Sequence, residues 1–334
     1  MSGSGGYGGS STLKLNSSLN SFYTPHYQRK LDVFKNRPSE SNPNEYIAQS
    51  SSNASNIDDS AFILGGGSEK NAQTVASGTY ISDNTKSGIT FLAFNRAQTV
   101  NKVNLDVSGD NGSGSTQDFG DSIFYDTDRA KSTNSTSSSA QTTFIGSSIT
   151  TGTANSLTTN DKDLVFFGSD YSTTSTDTSP KFYEAGWTGK SVKIQNVLAP
   201  SSSQAALIVQ GSAVNTGNDD DTLVFANTNS NTKIGGTGSG EGNIFSMGQG
   251  KDYVYFAAPD TIYAQNVIDL GSDTDADTLT LNGNTLKNLN GTTQWLTVKN
   301  FVNNTDKLVF NNTVYNTQSA IQGVSAIGQR IRFS

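Results

Sequence analysis

The densest carboxylates of the chain stand in two short runs, TGNDDDTLV from Thr216 and SDTDADTLT from Ser272. A hard divalent ion such as Ca²⁺ takes six to eight oxygen ligands, so these runs are where a calcium site is predicted. The alternative is that they are solvated turn carboxylates without an ion. The D-x-D-x-D run lacks the Gly and the terminal Glu of an EF-hand loop, and that motif is rejected. With one more acid between the runs, the candidate calcium ligands are Asp219, Asp220, Asp221, Asp252, Asp273, Asp275 and Asp277.

One short pattern recurs six times: an Asp, any residue, an aliphatic residue, any residue, and usually a large apolar residue. The occurrences are DSIFY at Asp121, DLVFF at Asp163, DTLVF at Asp221, DYVYF at Asp252, DTLTL at Asp277 and DKLVF at Asp306. The last four are 31, 25 and 29 residues apart. This spacing is typical of one coil of a parallel β-solenoid, whose coils bury their apolar faces by stacking. An Asp before a strand can also accept backbone N–H bonds, a structural role that could explain all six.

The pattern tightens at Gly238–Tyr255, where GSGEGNIFS is followed directly by MGQGKDYVY. Two nine-residue units in succession are predicted to stack, which would place Asn243 over Asp252 and Phe245 over Val254.

The second of these units resembles the calcium-binding nonapeptide of repeats-in-toxin β-rolls. Gly248, Gly250, Asp252 and Val254 fill four of the five defined positions, and Met247 stands where that family has a fifth, Gly. The resemblance implies calcium held between successive turns by Asp carboxylates and Gly-turn carbonyls.

The composition predicts an all-β protein. Ser, Thr, Asn and Gly abound, hydrophobic residues are 33% and aromatic residues 9%, and this mixture suits strands and tight turns better than helices. Residues 59–200 are predicted to form a β-rich domain, either a β-sandwich or solenoid-like, and residues 201–334 a β-solenoid or β-roll-like domain. Predicted strands lie at Ala61–Leu64, Gly78–Ile81, Ile89–Phe94, Val103–Val107, Thr142–Ile145, Val192–Val197 and Ala205–Val209.

Several kinds of chemistry are disfavoured by the residues that are scarce. The chain has no Cys and a single His, His26, which excludes thiolate chemistry and argues against a histidine relay within one chain. No apolar run approaches the roughly 20 residues of a membrane helix. We expect no catalytic residues, although parallel β-solenoids also host polysaccharide-degrading enzymes that need only a pair of carboxylates.

Residues 1–58 are predicted to be an extended N-terminal anchoring arm and linker. Residues 1–46 carry five basic against three acidic residues in a chain of net charge -7, too few for a phosphate-binding surface, and nucleic acid is not an expected partner. The arm carries too many large side chains for a plain flexible tail. It packs either on its own domain or on a neighbouring subunit. The residues predicted to bind a partner are Phe22, Tyr23, Tyr27, Arg29, Lys30 and Phe34.

In outline the chain resembles structural proteins of tailed bacteriophages, such as capsid decoration proteins, fibres and spikes. That resemblance implies a non-enzymatic virion protein whose partners are other virion proteins or copies of itself, with a host surface glycan as a further candidate. The start of the sequence has neither the basic nor the apolar region of a Sec-type signal. The alternative is a secreted or cell-surface calcium-binding protein of the repeats-in-toxin type, an adhesin or a surface-layer protein.

Overall fold

A computed structural model describes fifteen segments of the chain, the longest at its C-terminal side. These are residues 12–13, 54–57, 62–64, 74–75, 78–82, 90–94, 99–106, 122–126, 141–152, 163–168, 197–198, 206–225, 231–256, 262–281 and 285–334.

The described strands form three large sheets, numbered here in the order in which a coil such as β4, β5 and β6 passes through them. Sheet 1 contains β4 (Thr74–Val75), β7 (Thr99–Asn101), β10 (Gln141–Ile145), β14 (Ala206–Gln210) and β17 (Lys233–Ile234). Sheet 2 contains β2 (Ala54–Ile57), β5 (Gly78–Ser82), β8 (Val103–Asp106), β11 (Ser148–Thr150), β15 (Ala213–Asn215), β18 (Ile244–Ser246), β20 (Val267–Asp269), β22 (Leu296–Lys299) and β25 (Ile331–Phe333). Sheet 3 contains β3 (Phe62–Leu64), β6 (Thr90–Phe94), β9 (Ser122–Asp126), β12 (Leu164–Gly168), β16 (Thr222–Phe225), β19 (Tyr253–Phe256), β21 (Thr278–Leu281), β23 (Lys307–Phe310) and β24 (Thr313–Tyr315).

From β4 to β19 the chain runs from sheet 1 to sheet 2 to sheet 3 and then begins again, adding one strand to each sheet on each pass. After β19 the described strands are added to sheets 2 and 3. β16, for example, pairs in parallel with β12 on one side and β19 on the other, in unbroken register. This is the topology of a parallel β-solenoid, and the prediction of an all-β fold is confirmed. Within the described residues the only helix is the single turn and a half of α1 (Gln318–Gln322), and it is not long enough to span a membrane.

Inward-facing side chains of the three sheets meet in one hydrophobic core. Successive coils place like residues above one another, so Phe167, Phe225 and Phe256 form a continuous stack. Their neighbouring ring centroids are 5.1 and 4.9 Å apart, and the ring planes lie within 9° and 8° of parallel. β-Branched and aromatic residues dominate these strands because they fill a pleated, buried surface well.

The predicted strands agree with the structure wherever it describes them. Six of the seven overlap β3, β5, β6, β8, β10 and β14. In the seventh, Val192–Val197, only its last residue lies among the described residues, where β13 (Val197–Leu198) begins.

The predicted stacking of the two nine-residue units is wrong. Both units belong to the same coil, the first forming β18 in sheet 2 and the second β19 in sheet 3. Phe245 is paired with Val214 and Ile268, and Val254 with Leu223 and Leu279. Since a coil here has three sides, a nine-residue repeat advances the chain by one side and not by one coil.

The boundary predicted at residue 200 stays a prediction, although β10 and β14 pair directly across it. Of the two architectures predicted for residues 59–200, the described strands follow the solenoid. The predicted arm is described only at β1 (Thr12–Leu13), which pairs antiparallel with β13, and at β2, which pairs in parallel with β5.

Candidate functional site: the aspartate column

Five of the six repeated Asp residues form one buried column at the corner between sheets 2 and 3. The backbone N–H of each of the first four donates to Oδ1 of the Asp in the next coil: Asp163 to Asp221 at 2.8 Å, Asp221 to Asp252 at 2.9 Å, Asp252 to Asp277 at 2.9 Å and Asp277 to Asp306 at 3.1 Å. All five are at most 2% exposed. The sixth, Asp121, lies outside the described residues.

The backbone carbonyls of these same four Asp residues accept from the next coil in return. The carbonyl of Asp221 accepts from Tyr253 N at 2.9 Å, and that of Asp252 accepts from Thr278 N at 2.8 Å. At the corner the Asp carboxyl therefore accepts the backbone N–H of the preceding coil, in place of a backbone carbonyl. One residue later the strand of sheet 3 begins, and backbone-to-backbone pairing takes over. The predicted structural role of these Asp residues agrees with these bonds.

A second column with the same bonding stands at the corner between sheets 1 and 2, and it is neutral. Ser147 N donates to Oγ of Ser212 at 3.3 Å, Ser212 N to Oδ1 of Asn243 at 2.9 Å, and Asn243 N to Oδ1 of Asn266 at 3.1 Å. The amide of Asn243 also donates to Val209 O at 2.9 Å. Uncharged side chains are thus sufficient to accept the backbone N–H bonds at such a corner. The corner between sheets 2 and 3 differs in using ionisable carboxyl groups for the same bonds.

Burial changes the protonation of the aspartate column. Desolvation raises the pKa of Asp277 to about 9, and the neighbouring carboxyls of Asp252, Asp306 and Asp273 add to this effect. Desolvation also raises the pKa values of Asp221 and Asp252 well above the usual range, and that of Asp306 more moderately. The backbone bonds oppose these shifts without cancelling them, and with a pKa of about 9 the carboxyl of Asp277 is protonated at neutral pH.

Within the column, Oδ2 of Asp221 and Oδ2 of Asp252 have no hydrogen-bond partner among the described residues. The hydroxyl of Thr216 lies next to Asp221, but it donates to Met247 O at 2.8 Å. A carboxylate ion in this position would be buried without compensation, whereas a neutral acid is tolerated.

Glycines at the same corner let successive coils approach closely. A Cβ on Gly248 would lie 1.3 Å from Gly217 O, and one on Gly271 would lie 1.5 Å from Gly248 O. The φ angles of Gly217, Gly248 and Gly271 are 95°, 99° and 94°, which favour glycine. Met247, which occupies the position of the missing family Gly, instead points into the core and is fully buried.

The other predicted calcium ligands lie on the outer side of this corner. Oδ1 of Asp220 accepts from Lys251 N at 3.0 Å, and the carboxylate of Asp273 accepts from Gly250 N at 3.1 Å and from Asp275 N at 2.8 Å. Asp219 has a φ of 86°, and its carbonyl lies 2.1 Å from the position that a Cβ of Gly250 would take.

The seven predicted ligands are therefore neighbours, but they are spread along the corner. Asp220, Asp273 and Asp275 all lie close enough to Asp252 to raise its pKa. Within the described residues, no group of three or more acidic or histidine side chains converges in the manner of a metal site. Whether an ion gathers them stays a prediction. The predicted partner-binding residues lie outside the described residues; these are Phe22, Tyr23, Tyr27, Arg29, Lys30 and Phe34.

The neutral column was not anticipated from the sequence. The sequence does contain a signal for it, since a Ser or Asn stands directly before successive strands of sheet 2. These residues are Ser147, Ser212, Asn243 and Asn266. Ser and Asn are so common in this chain that their recurrence does not stand out, whereas Asp before an aliphatic run does.

The sequence matches no protein-family model, and comparisons with curated proteins and with solved structures find no significant similarity. The likeness to repeats-in-toxin units is accordingly one of motif, carried by Gly248, Gly250, Asp252 and Val254.

Proposed function

We propose that this chain is a non-enzymatic structural protein of a phage particle. In this proposal the arm of residues 1–58 anchors the chain, and the β-rich body is displayed on the virion surface as a capsid decoration, fibre or spike protein. The observation that carries it is the aspartate column. The most regular acidic feature of the sequence joins one coil to the next, which is a structural role.

The condition of the buried acids favours a scaffold over an enzyme. Asp221 and Asp252 are fully buried, and their Oδ1 atoms accept bonds from the backbone of the preceding coil. A catalytic pair has to reach a substrate from both sides of a bond. Carboxyls enclosed between coils do not have that access, and their contribution is to the stability of the stack.

Incorporation into particles tests the proposal. Deletion of residues 1–46 should abolish incorporation while leaving the circular dichroism of the body unchanged. A matched variant with Phe22, Tyr23, Tyr27 and Phe34 changed to Ala should lose incorporation as well, whereas changing Lys14 and Lys35 to Ala should not. Particles that still carry the deleted chain would contradict the anchoring role.

A secreted calcium-binding protein of the repeats-in-toxin type, acting as an adhesin or surface-layer protein, is the second candidate. The specific observation in its favour is the corner itself, where close-packed Gly217, Gly248 and Gly271 lie beside Asp219, Asp220 and Asp273 with the unpartnered oxygen of Asp252. Oxygen atoms of this type and number suit Ca²⁺.

Thermal unfolding separates the two candidates. A structural calcium ion at 100 times its Kd stabilises the folded state by about 2.7 kcal/mol, so EDTA should lower the Tm by several degrees and Ca²⁺ should restore it. Mg²⁺, which demands a tighter octahedral site, should not substitute. An unchanged Tm with EDTA would count against this second function and leave the first intact.

A further inference from the structure

We propose that residues 302–330 form an end cap that prevents a second copy of the chain from stacking on this end of the solenoid. The proposal goes beyond the function proposed above, and it rests on three separate features of the last coils. Parallel stacks need such caps, because an uncovered terminal coil presents open strand edges and an apolar core to any similar coil.

The first feature is a reversed strand. β24 returns antiparallel along β23, pairing Val309 with Val314, where another coil would have to supply a parallel strand. The two residues that connect them, Asn311 and Asn312, have φ angles of 48° and 66°. Two successive positive φ values are those of a type I′ turn, the connection that suits a tight hairpin and for which Asn is well adapted.

The second feature is an apolar plug over the end of the core. Ile321 of α1 and Ile327 are both fully buried in the same cluster as the core strands, and Val324 packs against it. Thr317 caps α1 by accepting from Ala320 N at 3.2 Å. The inward-facing residues of an added coil would need the space that these side chains occupy.

The third feature is the end of the aspartate column. In the earlier coils the N–H of each Asp bonds to the Asp of the next coil, but the N–H of Asp306 donates to Val302 O of its own coil at 2.9 Å. Its Oδ2 accepts from Val302 N at 2.6 Å. Both bonds join residues of the same coil. The N–H of Asp306 is therefore already used and is not available to the Asp of a further coil.

Polar bonds hold the parts of the cap together and join it to Phe301, which directly precedes it. Gln318 donates from Nε2 to Phe301 O at 3.0 Å and from its backbone N to Oδ1 of Asn303 at 2.7 Å. Asn304 N donates to Asn316 O at 2.6 Å. The cap is therefore built into the end coil and covers the core without help from another molecule.

The test compares three full-length proteins at equal concentrations. Ile321→Asn with Ile327→Asn opens the plug, while the matched control Val314→Asn makes the same chemical change at a side chain that is 57% exposed. Light scattering after gel filtration gives the mass, circular dichroism gives the sheet content, and negative-stain microscopy shows the geometry of any complex.

We expect the double variant to keep its sheet signal and to at least double its mass relative to the wild-type protein, in a concentration-dependent way and with coils joined end to end. The Val314→Asn control should match the wild-type protein. Unchanged mass with native sheet content would overturn the proposal.

A gentler pair, Asn311→Val with Asn312→Val, disfavours the turn without touching the core and should shift the mass in the same direction. Loss of the sheet signal in both cap variants would also overturn the proposal. A cap covers coils that fold without it, so opening the cap should leave the sheets intact. None of these measurements involves virion incorporation, so they succeed or fail independently of the proposed function.

Discussion

Asp252 and Asp277 are joined across two successive coils by a bond of 2.9 Å from the backbone N–H of the first to Oδ1 of the second. The acceptor is a buried carboxyl surrounded by other carboxyls, and this makes the strength of the stack dependent on pH.

Stability should fall as the pH rises from about 4 to about 9. The pKa of Asp277 is about 9 in the folded protein against 3.8 for an ordinary Asp, so the folded state binds more protons between these values. Stability is then fully present below the unfolded pKa and is lost as the pH rises through the folded pKa, at about 1.4 kcal/mol per pH unit for each such carboxyl. Urea unfolding at pH 5, 7 and 9 measures this slope.

The variant Asp277→Asn should flatten that slope while keeping the bond from Asp252. An amide retains the Oδ1 acceptor and does not ionise. Asp275→Asn, on the exposed side of the same turn, serves as the control and should leave most of the slope in place. An unaltered slope in Asp277→Asn would show that the pH dependence comes from elsewhere.

Removing the hydrogen-bond acceptor of Asp252 should cost more than replacing its carboxyl by an amide. Asp252→Ala leaves the N–H of Asp221 buried without a partner, which should lower the free energy of unfolding by about 1–3 kcal/mol. Asp252→Asn preserves the acceptor and should be close to neutral at pH 7. The same unfolding curves measure both, and equal losses in the two variants would contradict the role assigned to the hydrogen bond.

Gly248→Ala should be severely destabilising, because its Cβ would lie 1.3 Å from Gly217 O and its φ is 99°. We expect a loss of more than about 4 kcal/mol, within the exceptional range for single substitutions. Gly240→Ala is a matched control, since its φ is 77° but its Cβ would meet nothing within 4 Å. Its expected loss is only the roughly 1–2 kcal/mol of a left-handed residue, and a similar Tm for the two variants would contradict the close approach of the coils.

Phe225→Ala should remove the middle of the aromatic stack. Phe225 lies between Phe167 and Phe256 and is 2% exposed, so its truncation should cost about 3–5 kcal/mol. Ile244→Ala, at a residue of the next coil that is 53% exposed, should change the stability by less than about 1 kcal/mol. Thermal unfolding distinguishes them, and equal effects would exclude a continuous core.

The coil repeat was readable from the sequence because its marker is local. An Asp followed by alternating aliphatic residues recurs at Asp221, Asp252, Asp277 and Asp306, and each of these takes the same place in successive coils. The signal is strong because the buried acceptor and the buried strand that follows it are both dictated by a few neighbouring residues.

The number of sides to a coil was not readable in the same way. The unit containing Asn243 and the unit containing Asp252 look like successive copies of one repeat, yet they turn different corners of the same coil. The period of the sequence pattern indicates how often a corner occurs along the chain. How many corners complete one coil depends on the angle of each corner, and that angle is set by contacts between coils. The spread of Asp219, Asp220 and Asp273 along the outer side of the corner depends on the same contacts.

The rungs of the aspartate column are joined by connections of very different lengths. Asp163 and Asp221 are adjacent rungs although 58 residues separate them, while the following rungs are separated by only 31, 25 and 29. The rise from one layer to the next is thus independent of the amount of polypeptide that joins them. A connection of 58 residues and one of 25 therefore lead to the same backbone-to-carboxyl bond at the corner, so the length of a connection can vary while the contact between layers is kept.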